Sequence, residues 1–113
     1  MKELVWTFEG GVRAKTHPTI YRLLENYKPV RIWCHLDELP GDNWCIVDIK
    51  DDGTSILSSN LPTLDNAETT RYVGETEVVE TILVESQITC SIQENGTPYY
   101  GRDLVVILYL EEA

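Results

Sequence analysis

Residues 44–56 read "WCIVDIKDDGTSI". Cys45, Val47 and Ile49 recur at every second position, the period with which a β-strand turns one side to a core and the other to water. Asp51-Asp52-Gly53 interrupts the run, and Thr54 to Ser58 resumes an extended pattern. Asp-Gly is a hairpin signal because both residues reach the positive φ angles of a tight primed turn. The stretch therefore predicts two antiparallel strands and, with them, an all-β chain.

The same acidic stretch invites two chemical readings. A helix-loop-helix calcium loop needs oxygen ligands at its first, third and fifth positions, glycine at the sixth and glutamate at the twelfth. Starting at Asp48, the third position is Lys50 and the twelfth is Ser59, so an ammonium stands where a ligand belongs and the bidentate carboxylate is missing. Adjacent carboxylates such as Asp37-Glu38 or Asp51-Asp52 are expected to point apart in a turn and face solvent, a poor setting for acid–base catalysis. A hairpin explains these residues without a metal and without catalysis.

Outward from this stretch, apolar residues keep the spacing of two. Leu4 to Phe8 forms a first strand stopped by Gly10-Gly11, and Thr19 to Leu24 reads as a strand after His17-Pro18, with a short helix through Ile20, Leu23 and Leu24 as the alternative. Val30, Ile32, Cys34 and Leu36 share one face of a strand, with Arg31, Trp33 and His35 on the other, and Pro40-Gly41 turns the chain after it. Asn60 to Glu77 is a polar crossing between sheets with a short strand at Arg71-Tyr72-Val73. Glu77 to Val84 and Gln87 to Gln93 follow as strands, with a turn at Glu94 to Pro98. Asp103 to Leu110, "DLVVILYL", is apolar on both faces and reads as a central strand. Its outer face, Val105, Ile107 and Tyr109, needs a cover, supplied either by a partner subunit or by residues 10–30 folding over it.

The 113 residues fit one domain, 1–113, with residues 1–28 as an N-terminal strand and arm. The expected architecture is a single antiparallel, jelly-roll-like β-sandwich. Net charge is −10, which disfavours nucleic acid as a partner because phosphate binding needs gathered Lys and Arg. The charge is uneven: residues 1–35 carry +3, leaving −13 for the remainder. The arm is thus a basic segment suited either to solvent or to an acidic neighbouring subunit.

Cys34, Cys45 and Cys90 are an odd count, lack zinc-ligand spacing and lie in phase with apolar neighbours, so buried reduced thiols are expected. No apolar run spans a membrane, and Met1 to Trp6 lacks the apolar core of a signal peptide, so the expectation is an unexported soluble protein. His17 and His35 have no nucleophile motif beside them, and no phosphate-cradling glycine loop occurs. Catalytic, cofactor and metal residues are expected to be absent. Asn95-Gly96-Thr97 matches a glycosylation sequon but reads as a turn. Trp33, Trp44, Tyr99 and Tyr100 would suit either a sugar-stacking platform or core and interface anchors.

The order of "WTFEG", "PVRIWCHLDELPGDNWCIVDIKDDGTSIL" at 29–57, "LPTLDN" at 61–66 and "ITCSIQENG…DLVVILYL" resembles a small β-sandwich module of tailed-bacteriophage structural proteins. Members read approximately as Phe-x-Gly, an apolar strand, Pro-x-Gly, an Ile-Val-Asp-Ile strand with Asn-Gly-Thr-x-Ile, then a Pro-x-Ile turn. Here Asp52-Gly53 replaces the Asn-Gly, the acidic "ETTRYVGETEVVE" replaces an Ala- and Gly-rich crossing, and residues 11–28 match least. The resemblance implies a virion component without enzymatic activity, assembled in the host cytoplasm. A capsid decoration (cement) protein on the major capsid protein or other virion subunits is the first expectation, as a homo-oligomer, trimer or hexamer, matching local axes of a head. A receptor- or carbohydrate-binding module of a tail fibre or baseplate is the alternative. Charge and strand phase nominate Arg13, Lys15 and Arg22 of the arm, and Arg31, Trp33 and His35 of the outer face, as interface residues.

Overall fold

The computed structural model describes residues 2–38, 44–57, 61–64, 70–73, 85–93 and 101–112. Among these the chain is all-β, with no helix: β1 (Lys2–Gly11), β2 (Tyr21–Arg22), β3 (Tyr27–Glu38), β4 (Cys45–Asp51), β5 (Thr54–Ser55), β6 (Thr63–Leu64), β7 (Thr70–Val73), β8 (Gln87–Ile92) and β9 (Arg102–Glu112). The expected strand at Glu77 to Val84 and the turns at Pro40-Gly41 and Glu94 to Pro98 lie outside the described residues.

The pairing nests around the hairpin. Asp52 and Gly53 have φ of 49° and 89°, both positive as a primed two-residue turn demands, and they close β4 on β5 with Asp51 opposite Thr54. Asp51 itself stays in the strand. From this apex β3 pairs with β7, β2 with β8 and β1 with β9, all antiparallel. The doubled chain then rolls into two sheets, β1-β9-β3-β7 and β2-β8-β4-β5, with β6 also on β4. This nested order is that of a jelly-roll sandwich.

Alternation decides the core. Leu4, Trp6 and Phe8 of β1, Ile32, Cys34 and Leu36 of β3, and Leu104, Val106, Leu108 and Leu110 of β9 face Cys45, Val47 and Ile49 of β4 and Ile88, Cys90 and Ile92 of β8. Each such side chain contributes about 1.5–3 kcal/mol by leaving water, so the core is spread over both sheets with no single anchor. Trp6 is fully buried, and its indole N–H donates to the Thr19 carbonyl at 3.1 Å. The three thiols are free and buried. Burial pushes the Cys45 thiol up to about 12 and raises those of Cys34 and Cys90 well above the ordinary range, their neighbouring thiols adding to the shift.

Several expectations need correction. β1 ends at Gly11 as expected, but not cleanly after Phe8: a bulge between Phe8 and Gly11 absorbs the irregularity, with Gly10 N–H donating to Asp103 Oδ1 at 2.7 Å, and pairing resumes at Gly11 opposite Arg102. Thr19 to Leu24 shortens to the two residues of β2, and neither a full strand nor a helix forms there. Only Leu23 of its apolar residues enters the core, while Ile20 and Leu24 stay exposed. The polar crossing does hold a strand at residues 70–73, and β6 precedes it.

Residues 12–26 do not fold over the outer face of β9. The arm runs along β8 in the other sheet: Thr16 bridges Ser91, His17 N–H donates to the Cys90 carbonyl at 2.8 Å, Ile92 N–H donates to the Lys15 carbonyl at 2.8 Å, and Tyr21 lies opposite Ile88. Val12 and Leu23 anchor it in the core at either end.

Candidate functional site

With the arm elsewhere, the first sheet presents its outer face. β9 lies between β1 and β3, so its outward residues have neighbours on both sides in register. Three rows cross the sheet: Glu3, Tyr109 and Arg31; Val5, Ile107 and Trp33; Thr7, Val105 and His35. The middle row is apolar throughout. Val5 is 38% exposed, and Val105, Ile107, Tyr109, Trp33 and His35 are half-buried. An outer sheet face is ordinarily polar, so this stripe is the feature that calls for a partner.

Its side chains contact one another. The Trp33 and His35 rings stack with centroids 5.7 Å apart and planes 8° apart, and His35 Nε2 is 3.3 Å from Asp37 Oδ1. The Arg31 guanidinium sits 4.6 Å over the Tyr109 ring. Cation–π and stacking contacts of this kind hold long side chains in place and reduce the entropy lost when a partner arrives. The result is a pre-formed surface.

The free edge of β1 is closed differently. The Tyr21 hydroxyl donates to the Val5 carbonyl at 2.7 Å and lies 3.4 Å from the Val5 N–H, and Tyr21 packs edge-on against Trp6. Next along the edge, His17 Nε2 is 2.9 Å from the Thr7 carbonyl while its Nδ1 accepts from Thr19 N–H at 3.0 Å. That acceptance fixes the tautomer: Nε2 carries the proton and donates to Thr7. Two side chains of the arm thereby occupy backbone groups that would otherwise template an added strand.

The nominated residues divide. Arg31, Trp33 and His35 come together on the outer face. Arg13, Lys15 and Arg22 lie on the arm beside β8, exposed and without an ion pair among the described residues, and they share no surface with the first three. Phase had already set Val105, Ile107 and Tyr109 on an outer face that needs a cover, but not Val5 or Glu3, because their place in the rows depends on pairing between distant strands. Trp33 and Trp44 do not form one platform: Trp33 is on the first sheet, and Trp44, 55% exposed, precedes β4 of the second. Tyr99 and Tyr100 lie outside the described residues.

In the acidic stretch Asp51 does not simply face solvent: its Oδ1 is buried without a hydrogen-bond partner among the described residues. Asp48 is buried, accepting from Ser55 Oγ at 2.6 Å and from Gln93 Nε2 at 3.4 Å, and Asp52 Oδ1 accepts from Gln87 N–H at 2.9 Å. Among the described residues no group of three His, Cys, Asp or Glu side chains is placed to hold a metal ion. No described helix is long and apolar enough to cross a membrane. No protein-family model, curated protein or solved structure matches the chain.

Proposed function

We propose that this chain is a non-enzymatic structural protein of a bacteriophage virion, a capsid decoration or cement protein that adheres through the outer face of its first sheet. One observation carries the adhesive part: the central strand β9 turns Val105, Ile107 and Tyr109 outward between Val5 and Trp33, and the arm that could have covered them lies on the other sheet. The viral part rests on the resemblance of residues 29–66 to phage structural modules, and the jelly-roll order, common among capsid domains, agrees with it by analogy. Adhesion by many identical copies on a symmetric shell lets a modest face act repeatedly. The partners are the major capsid protein or other virion subunits, together with further copies of this chain.

Cosedimentation with purified heads and with purified tails tests this reading. Binding to heads that is lost in Ile107→Arg, with the variant's melting temperature unchanged, is the expected result. Binding to tails alone, or tryptophan fluorescence quenched by glycans with no head binding, would replace it with the tail-fibre or baseplate reading. That alternative lacks a shared platform for Trp33 and Trp44.

A further inference from the structure

We propose that the outer face of the first sheet docks on the same face of a second copy, about a two-fold axis running parallel to the strands. The inference rests on the adhesive reading above and names the occupant of that face. A two-fold contact is isologous, so the surface must complement itself. An axis along β9 leaves Tyr109, Ile107 and Val105 at the centre of the contact and lays β1 of one copy over β3 of the other. Each row then reads against its own reverse. Glu3 meets Arg31 of the second copy, Val5 meets Trp33, and Thr7 meets His35, every pair made twice.

Charge selects this axis over the other in-plane choice. An axis across the strands would set Arg31 over His35 and Glu3 over Thr7, leaving the carboxylate without a cation. The strand-parallel axis pairs opposite charges at one end and apolar groups in the middle, the pattern that fixes register between partners. Beyond the third row the β1 register is broken by the bulge after Phe8, so the pairing is defined for these three rows, and Asp37 stays beside its own His35. The Trp33–His35 stack and the Arg31–Tyr109 pair hold four of the contact side chains in place before a second sheet arrives. Association through the β1 edge is hindered by Tyr21 and His17.

Size sets the expected strength. Under this axis three of the four strands overlap, and a face roughly 14 Å wide and about 30 Å long covers about 420 Å² per copy, about half of the ~800 Å² per partner of a standard interface. The contact is therefore weak in free solution and effective where copies are concentrated on a shell.

Sedimentation equilibrium of the intact chain up to millimolar concentration tests the proposal, with circular dichroism and melting temperature as controls for folding. Wild type is expected to approach twice 12.9 kDa. Arg31→Glu and Glu3→Arg each convert two attractive pairs into two repulsive ones and weaken the dimer at least about tenfold. The Glu3→Arg/Arg31→Glu double variant restores it, which a merely structural role for either residue would not produce. A single-chain mass throughout would overturn the proposal and assign the face to a different partner, and so would a dimer indifferent to both reversals or a double variant that stays dissociated. Cosedimentation of Arg31→Glu with heads separates the two readings: a monomer that still binds heads removes the second copy and keeps the adhesive function.

Discussion

Replacing Gly101 with alanine should destabilise the fold more than the same change at Gly53, although both glycines have positive φ. Gly101 leads into β9 at φ +99°, and its carbonyl accepts from Val12 N–H at 2.9 Å. A Cβ built there stands 2.6 Å from the Glu38 carbonyl oxygen and 3.1 and 3.2 Å from the two Leu36 methyls. The carbonyl belongs to the end of β3, where Glu38 pairs with Arg102, so relief requires moving backbone that the sheet holds. Left-handed strain costs about 1–2 kcal/mol and overpacking a further ~1–3 kcal/mol, or roughly 2–5 kcal/mol in all. Against a total stability of about 5–15 kcal/mol this is a large fraction. Gly53, at φ +89°, has nothing within 4 Å of its virtual Cβ, so only the conformational part, about 1–2 kcal/mol, applies. The unfolded-state gain from Gly→Ala is common to both and cancels in the comparison. Urea unfolding of the two variants, with midpoints compared at unchanged slope, gives the difference directly. A Gly101→Ala protein no less stable than Gly53→Ala would refute the close approach of Gly101 to Glu38.

Two further outcomes follow from the arm and the core. Tyr21→Phe keeps the ring on Trp6 and loses about 0.5–1.5 kcal/mol for the hydroxyl. Combined with His17→Ala it opens successive carbonyls on the β1 edge, and light scattering on heating should then show concentration-dependent aggregation that the parent lacks; equal behaviour of the two proteins would remove the edge-guarding role. The buried thiols make stability fall at high pH. An unfolded thiol ionises near 9.0 and the folded Cys45 not until about 12, so above 9.0 the unfolded state sheds protons that the folded state retains. Stability is complete below 9.0 and declines between these values by roughly 1 kcal/mol per pH unit for each such thiol. Denaturant melts of Cys45→Ala should show a shallower decline, and an identical slope would mean that Cys45 is not sealed from water.

Much of the architecture is legible in local pattern. Val30 to Leu36, Cys45 to Lys50 and Asp103 to Leu110 could be read as strands with the correct inward faces because successive side chains alternate whatever the partner strand is. The Asp52-Gly53 reversal was equally local, since φ preference belongs to the residues of the turn. The candidate site was only half legible. Arg31, Trp33 and His35 follow from phase within one strand, whereas their neighbours Val5, Ile107 and Tyr109 come from strands far away in the chain. The arm misled through composition: Ile20, Leu23 and Leu24 within Thr19 to Leu24 suggested a longer element, but the ladder along β8 engages only residues near Thr16 and Tyr21.

By itself the chain's residue order determined that this is a β protein, which side of each long strand is apolar, and where the central hairpin turns. These depend on interactions reaching one or two residues along the backbone. Only the tertiary structure decided that β9 sits between β1 and β3, that the arm closes the β1 edge, and that Gly101 must stay bare against Glu38. Those outcomes depend on which distant backbones hydrogen-bond to one another, a choice made by the whole core at once.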